Sequence, residues 1–366
     1  ADQHLWGGQF DRDLGDILDL YADVTQRITD QIQVQLSSVE QAHLEDTDVV
    51  NADAYDRYLQ GIALCDRWSR DSMLRGVAQL RALTAEFPDD ARAQGALALC
   101  LQYAAFFDYL EILDIRDEAR AAAQRAVQSA PELSISQVAS AATHWYLDFD
   151  VGKATTALKR ALEINPGDAR AWILLAWRLS EVGQFEESQA AAARAIEVDP
   201  FSNAALQALG QTRYLARDFE SSLEPFLQAV DIDPSDPGFY TYPAWALTQL
   251  GRHDEAIALL EKAVELSEGA PFHLGEYGMS LAFAGRTAEA RQVLEQLAAQ
   301  SGGLSTSPFQ IAQIQMALGN TEAALDGLER ALEARDSGMF YLANGAQFDG
   351  LRGEPRFEAL VERMMP

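Results

Sequence analysis

Side chains that perform acid–base, nucleophilic or metal chemistry are scattered through this sequence instead of gathered at diagnostic spacings. No H-E-x-x-H, G-x-x-x-x-G-K-[ST] or G-x-S-x-G pattern occurs, so metalloprotease, phosphate-loop and serine-hydrolase chemistry have no support. Acidic pairs such as Asp89–Asp90 and Glu186–Glu187 fall at predicted turns or outer faces, where solvated charge is the expected role. We therefore expect no catalytic, cofactor or metal site and no enzyme activity. The five histidines are dispersed, and none has a cysteine at the spacing of a metal site. They are His4, His43, His144, His253 and His273.

The two cysteines, Cys65 and Cys100, exclude a disulfide-rich scaffold and a cysteine-rich zinc module. They form no C-x-x-C motif and fall in the first helices of successive predicted repeats, so we expect small buried thiols and not a redox pair. Unpaired cysteines and the lack of a leader pattern favour the cytoplasm. A periplasmic location is the alternative, if a preceding part of a longer protein carries a transmembrane helix.

The charge balance narrows the class of partner. The 366 residues include 28 Lys and Arg against 56 Asp and Glu, which gives a net charge of −28. This charge opposes phosphate groups, so we expect this segment to bind neither nucleic acid nor a membrane surface. Apolar residues make up 48% of the chain, enough for a sizeable core.

A repeat organises most of the chain. The dipeptides Asn165-Pro166, Asp199-Pro200 and Asp233-Pro234 recur every 34 residues, preceded by the near-copies ALEI, AIEV and AVDI. Such a period predicts one supersecondary unit per repeat. Units in this register begin at Ile135, Ala169, Asn203, Pro237, Pro271 and Ser305.

Small residues recur at fixed positions of these six units. Positions 8, 20 and 27 are Gly, Ala or Ser except at Leu297, where position 27 is large. Two helices of one unit pack closely only where the side chains at their crossing are small. Position 15 is the expected turn between the helices, and four units have glycine there: Gly183, Gly251, Gly285 and Gly319.

The small-residue sites and the proline at position 32 resemble the tetratricopeptide repeat, a 34-residue helix–turn–helix unit. The resemblance implies an all-α, right-handed superhelical solenoid. Two looser units, 54–90 and 91–131, precede the six firm ones of 135–338, so we expect about eight helix pairs over 51–338. Residues 339–366 are expected to form capping helices.

Both ends of the chain resemble parts of known signalling proteins. HLWGGQFDRD alternates like a strand and the following DILDLYADVTQRITDQIQVQL is amphipathic, so residues 1–50 predict a strand–helix remnant of an α/β domain. This segment resembles the end of a TolB-like domain joined to tetratricopeptide repeats. At the other end, FDGLRGEPRFEALVERM resembles the end of such chains. Asn344-Gly345 departs from the turn that is usual there. The resemblance implies a bacterial signalling protein, fused to an adenylate/guanylate cyclase or a winged-helix transcriptional regulator.

In such a superhelix the first helix of each unit lines the concave face through positions 2, 5, 9 and 12. The face predicted here is aromatic, amide-bearing and nearly uncharged. Only Arg170 resembles the basic residues with which other tetratricopeptide grooves clamp a terminal carboxylate, so that mode is disfavoured. The predicted groove residues are Tyr146, Arg170, Ile173, Trp177, Gln207, Gln211, Tyr214, Trp245, Phe272, Met279, Phe309, Gln313 and Met316.

Several functions fit this groove. The first is a scaffold or sensory module that binds a peptide or a partner protein, with aromatic side chains as anchors. The second is an oligomerisation domain, in which the apolar tail 348–365 pairs two copies and so two output domains. A third is a small-molecule pocket of Trp177, Tyr214 and Trp245. Against all three stands the alternative that the groove residues pack on neighbouring units or on the chain's own tail.

Overall fold

The computed structural model describes residues 52–67, 69–107, 109–299 and 308–364, and this part contains helices and turns with no strand. Consecutive helices form eight pairs, and three short helical segments follow them. The predicted strand–helix remnant at 1–50 lies outside the described residues. The pairs are α1 Ala52–Cys65 with α2 Arg70–Glu86, α3 Ala91–Phe106 with α4 Ile112–Ser129, α5 Ser134–Ala142 with α6 Val151–Ile164, α7 Ala169–Glu181 with α8 Phe185–Val198, α9 Asn203–Leu215 with α10 Phe219–Ile232, α11 Pro237–Gln249 with α12 His253–Leu266, α13 Pro271–Phe283 with α14 Thr287–Ala299, and α15 Pro308–Ala317 with α16 Thr321–Glu333.

The prolines of the repeat lie where the sequence requires helices to stop. Helix α6 ends at Ile164, two residues before Pro166, and α8 and α10 end at the same distance from their prolines. Each next helix begins at a polar cap; the Asp168 carboxylate, for example, accepts a hydrogen bond from Ala171 N at 3.0 Å. The cap satisfies a backbone N–H that the helix itself leaves unpaired.

The small-residue sites lie at helix crossings, as the repeat predicts. Ala176 and Ser188, which face each other in the fourth pair, are both fully buried. A Cβ on Gly210 would come within 2.5 Å of the Phe226 ring, and one on Gly278 within 2.6 Å of Ile314 Cδ1. A larger residue at these positions would therefore force the helices apart.

Position 15 has a left-handed backbone in all six firm units, including the two without glycine. The φ angles of Gly183, Gly251, Gly285 and Gly319 lie between 72° and 79°. Phe149 and Arg217 occupy the same position with φ of 57° and 70°. A bulky residue adopts this conformation at an energetic cost, so its side chain needs compensating contacts. Both of these side chains contact the tail.

Cys65 and Cys100 are joined by a disulfide that links α1 to α3, so the expectation of unpaired thiols was wrong. The two residues are 35 positions apart, about one repeat, and corresponding positions of adjacent first helices face each other. The cysteines therefore no longer favour the cytoplasm, because disulfides persist in oxidising compartments.

The superhelix winds tightly enough for distant pairs to meet across its interior. The Arg170 guanidinium of the fourth pair donates to both carboxylate oxygens of Asp66 in the first, at 3.0 and 2.8 Å. Phe107, between the two helices of the second pair, contacts Phe272 of the seventh with ring centroids 6.3 Å apart. The concave face is consequently a narrow interior and not an open trough.

The tail, residues 334–364, folds into this interior. It contains two 3₁₀ turns, Ser337–Tyr341 and Ala346–Leu351, followed by α17 Pro355–Met364. Its large apolar side chains are buried within the chain, among them Phe348, Leu351, Phe357 and Leu360.

Candidate functional site: the concave face

Most of the predicted groove residues lie in the interior and are covered by the chain itself. Only Arg170, Trp177 and Met316 are partly exposed. Met279 is buried in a cluster of α13, α14 and α15 side chains, away from the tail. The tail occupies much of this face in the structure. That the whole set of predicted groove residues binds a partner remains a prediction. The buried members are Tyr146, Ile173, Gln207, Gln211, Tyr214, Trp245, Phe272, Met279, Phe309 and Gln313.

The tail follows the turns that join the two helices of successive pairs. Arg335 donates to Leu147 O at 2.7 Å in the third pair. Asn344 Nδ2 donates to Glu181 O at 2.7 Å in the fourth pair. Arg217 of the fifth pair donates to both carboxylate oxygens of the tail's Asp349, at 3.1 and 2.8 Å. We call these turns, at positions 149, 183 and 217, the turn rim of the groove.

Aromatic contacts fix the tail to the floor beneath the turn rim. The Phe340 ring lies among Trp145, Tyr146 and Phe149, at centroid distances of 5.2 to 5.7 Å. Tyr341 meets Trp245 edge to face at 5.3 Å. Each aromatic contact contributes stabilisation beyond that gained by burying the apolar ring area.

Phe348 anchors the end of this covered region. Its fully buried ring lies 5.7 Å from Phe309 and 5.9 Å from Phe357. Tyr214 donates its hydroxyl hydrogen to Gln347 Oε1, one residue away, at 3.2 Å. The self-packing alternative is therefore the arrangement found along the turn rim.

The prediction of a nearly uncharged face was wrong, because four ionisable side chains are buried in the interior. Arg178 and Glu181 form an ion pair at 2.5 Å with both side chains 3% exposed. The Arg178 guanidinium also stacks over Trp145, 5.0 Å from the ring centroid. These residues occupy positions 10 and 13, next to the positions used for the prediction. His273 and Glu276 occupy positions 3 and 6 of their unit and are equally buried.

Glu276 is held by neutral donors only. Trp245 Nε1 donates to one of its oxygens at 2.7 Å and Gln313 Nε2 to the other at 3.0 Å. Burial raises the pKa of this carboxyl to about 7, because desolvation outweighs the two hydrogen bonds. Burial also lowers the pKa of His273 to about 3, so that imidazole is neutral and pairs with the Thr241 hydroxyl at 2.8 Å.

The opposite rim of the groove, which we call the loop rim, is formed by the loops between helix pairs. It contains Asp199, Asp233 and Asp236, and the tail does not line it. A cavity of about 300 Å³, the outer chamber, opens here. Further residues around it include Asp66, Tyr103, Arg170, Ile173, Trp177, Asn203 and Phe239.

A smaller cavity of about 30 Å³, the inner chamber, lies next to the outer one. Tyr103 and Trp177 line both chambers. Its other walls are mainly aromatic, with Gln207, Gln211 and Glu181 as polar members. The Gln207 side-chain oxygen is buried without a hydrogen-bond partner, as is that of Asn203 one helical turn earlier.

Sequence reasoning missed part of both chambers. Tyr103, Phe106 and Phe107 belong to the looser second unit, where an insertion obscures the register. The loop aspartates Asp199, Asp233 and Asp236 each precede a proline, and the repeat pattern identifies them only as parts of the turns between helix pairs. Trp177, Tyr214 and Trp245 do not line one cavity: Trp177 lines the two chambers, while Tyr214 and Trp245 contact the tail. A small-molecule pocket formed by these three was therefore wrong.

Family profiles of the tetratricopeptide repeat match residues 173–237 and 244–269. The chain thus carries tetratricopeptide repeats, in a superhelical solenoid. Proteins with such repeats mediate protein–protein or peptide interactions, and their fold is typically non-catalytic. The expected fold class is confirmed, and tetratricopeptide repeats are found in the two matched segments.

Two solved structures illustrate the likeness. A chain of the APC/C hetero-tetramer Cut9–Hcn1 aligns over 96% of this chain with a TM-score of 0.56 and 14% identity, which supports the fold alone. This chain spans 63% of that one. YrrB, described as a TPR protein with an unusual peptide-binding site, is 25% identical over 52% of this chain and 97% of its own, with a TM-score of 0.34.

Among the residues that the structure describes, no group of three or more His, Cys, Asp and Glu side chains is placed to hold a metal ion. No helix in the same ranges combines the length and apolar character needed to cross a membrane.

Proposed function

We propose that this chain is a protein-interaction module of a bacterial signalling protein, and that it binds its partner through the loop rim of the concave face. The outer chamber carries this proposal, because it is a cavity of about 300 Å³ at the rim of the face that the tail does not line. Three residues expected in the groove from sequence, Arg170, Ile173 and Trp177, line it. A concave cavity with aromatic walls and several polar groups suits recognition of a protruding side chain.

The signalling context rests on the resemblance of both ends of the chain to proteins with a TolB-like domain and tetratricopeptide repeats. We propose with it the division into 1–50, an array at 51–338 and a capping tail, and an output domain of the cyclase or winged-helix type in the full-length protein. The Cys65–Cys100 disulfide favours the periplasmic alternative over the cytoplasmic one. Pairing of two copies through the tail has less support, because Phe348 and Phe357 are buried in their own chain.

Site-specific photo-crosslinking in the native cells tests the binding surface. A photoreactive amino acid replaces Ala204, a half-buried residue that lines the outer chamber. Leu227, 44% exposed on the outer helix α10, is the matched control position. We expect a discrete crosslinked partner from position 204 and none from position 227, and Trp177→Ala should abolish the crosslink. Equal crosslinking from both positions, or a crosslink that survives Trp177→Ala, would refute binding at the loop rim.

A further inference from the structure

We propose that the outer and inner chambers together bind a cationic side chain, a lysine or an arginine, presented by the partner. This inference rests on the proposed function and specifies the chemistry that the loop rim recognises. It is the reverse of a carboxylate clamp, in which basic residues of the groove hold an acidic group.

The charges around the outer chamber favour a cation. Asp199, Asp233 and Asp236 line it from two successive loops. Arg170 is the one basic side chain among the described lining residues, and both carboxylate oxygens of Asp66 already accept hydrogen bonds from it. The Arg170 charge is thus neutralised locally, and Asp199 and Asp233 leave a negative potential in the cavity. Burial raises the pKa of Asp236 to about 7, so this carboxyl adds only part of a charge at neutral pH. An acidic ligand would be repelled from it.

An independent observation points to a ligand that donates hydrogen bonds. The Gln207 side chain is 2% exposed and lines the inner chamber, yet its Oε1 has no partner. Asn203, four residues earlier on α9, lines the outer chamber and leaves its buried Oδ1 unpaired as well. Residues four apart lie on the same helix face, so these two side chains border the two neighbouring chambers. A buried acceptor without a donor costs free energy that a bound N–H group would recover.

The chamber walls suit the remainder of such a side chain. Trp177 and Tyr103 line both chambers, and Phe239 lines the outer one. Aromatic faces attract ammonium and guanidinium groups, and they also pack against the apolar stem that carries the charge. Lysine and arginine combine a long apolar stem with a donor-only tip, which suits chambers whose lining includes both aromatic side chains and residues with an unpaired acceptor.

The volumes agree with a single side chain. The outer chamber of about 300 Å³ has room for a stem and its flanking backbone. The inner chamber of about 30 Å³ accommodates a group the size of water or ammonium. The site is therefore suited to one projecting residue.

Small probes test the side-chain chemistry directly on the full chain. Nα-acetyl-lysine methylamide and its arginine counterpart are titrated while NMR records the indole N–H signal of Trp177, assigned with Trp177→Phe. The matched controls are the norleucine analogue, which has an apolar stem without the charge, and the glutamate analogue. We expect a saturable, salt-sensitive shift of the Trp177 signal with at least one cationic probe and none with the two controls.

Variants locate the cation within the two chambers. Asp199→Asn with Asp233→Asn should weaken binding of the cationic probe about tenfold at low salt. Gln207→Met should weaken it several-fold, by removing the unpaired acceptor. The control double variant, Glu187→Gln with Asp254→Asn, removes two exposed charges from the outer helices α8 and α12 and should leave binding unchanged. Thermal unfolding verifies that each variant is folded.

Three results would overturn the inference: an equal shift with the norleucine probe, binding of the glutamate probe, or no saturable shift with either cation. The inference would also be overturned if the Asp199→Asn/Asp233→Asn variant bound the cationic probe as tightly as the Glu187→Gln/Asp254→Asn control. Each of these leaves the crosslinking test of the proposed function intact, because a partner can dock at the loop rim through other contacts. Conversely, saturable cation binding without a crosslink at position 204 would support the site and refute the proposed docking surface.

Discussion

The two rims of the concave face come from the same repeat but have opposite surroundings. At the turn rim, Phe149 and Arg217 take a left-handed backbone and both contact the tail. At the loop rim, Asp199 and Asp233 line a cavity of about 300 Å³ that the tail does not reach. A repeat thus defines where side chains point, while an added segment decides which of them stay available. Several predicted groove residues consequently pack against the tail, while Arg170, Ile173 and Trp177 line the outer chamber.

The largest effect is expected at Phe348, a fully buried aromatic anchor of the tail. Phe348→Ala removes a fully buried ring that packs on Phe309 and Phe357. Loss of a buried aromatic side chain should lower the free energy of unfolding by about 3–5 kcal/mol. Circular dichroism during thermal unfolding measures the change, and Leu227→Ala on the outer surface is the control.

Hydrogen exchange on the same variant distinguishes the two rims. Amide exchange should accelerate in α9 and α11, which the tail covers, and remain slow in α1 and α3. Uniform acceleration along the array would contradict a tail that stabilises one rim selectively.

The second prediction uses the pH dependence of the covered interior. Because the folded pKa of Glu276 is raised from 4.5 to about 7, its contribution to stability is present below pH 4.5 and is lost as the pH rises through 7. The shift corresponds to about 3 kcal/mol between these limits. Glu276→Gln should remove this part of the decline in stability with pH, because the new side chain does not ionise. The amide of Gln313 can flip so that its unpaired Oε1 accepts a hydrogen bond from the new amide.

Urea unfolding of both proteins at pH 4.5 and pH 8 measures the effect. Glu187→Gln, an exposed change on α8, should follow the wild-type decline. An equal decline in Glu276→Gln would show that the carboxyl is ionised in the folded state throughout this range.

A smaller effect is expected at the exposed edge of the turn rim. Asp349→Asn breaks the ion pair with Arg217, whose side chain is 39% exposed, against 58% for Asp349. Exposed pairs of this kind contribute about 0.2–1 kcal/mol, less as salt is added. Thermal unfolding at low and high salt measures this, and a loss as large as that of Phe348→Ala would show that the pair, and not the ring, holds the tail.

The sequence predicts the helices better than it predicts which residues of the groove are covered by the tail. The 34-residue period sets the helix pairs because prolines and small crossing residues act locally, as at Gly210 beside Phe226. It does not predict that Phe149 and Arg217 adopt the glycine conformation, since the contacts that compensate it come from residues 335–349. The disulfide of Cys65 and Cys100 was missed for a related reason: whether two thiols meet depends on how adjacent repeats stack.

The smallest effect on stability, and the sharpest contrast between the rims, is expected at Phe201. This side chain is 82% exposed in the loop between Asp199 and Ser202, both of which line the outer chamber. Phe201→Ser should change stability by less than about 0.5 kcal/mol, because an exposed ring has little packing to lose. It should nevertheless weaken the crosslink from position 204, since an exposed aromatic residue beside a cavity is a preferred contact for a partner. Leu227→Ser, equally harmless to stability, should leave the crosslink unchanged; if both variants behave alike, the loop rim is only a solvated edge of the solenoid.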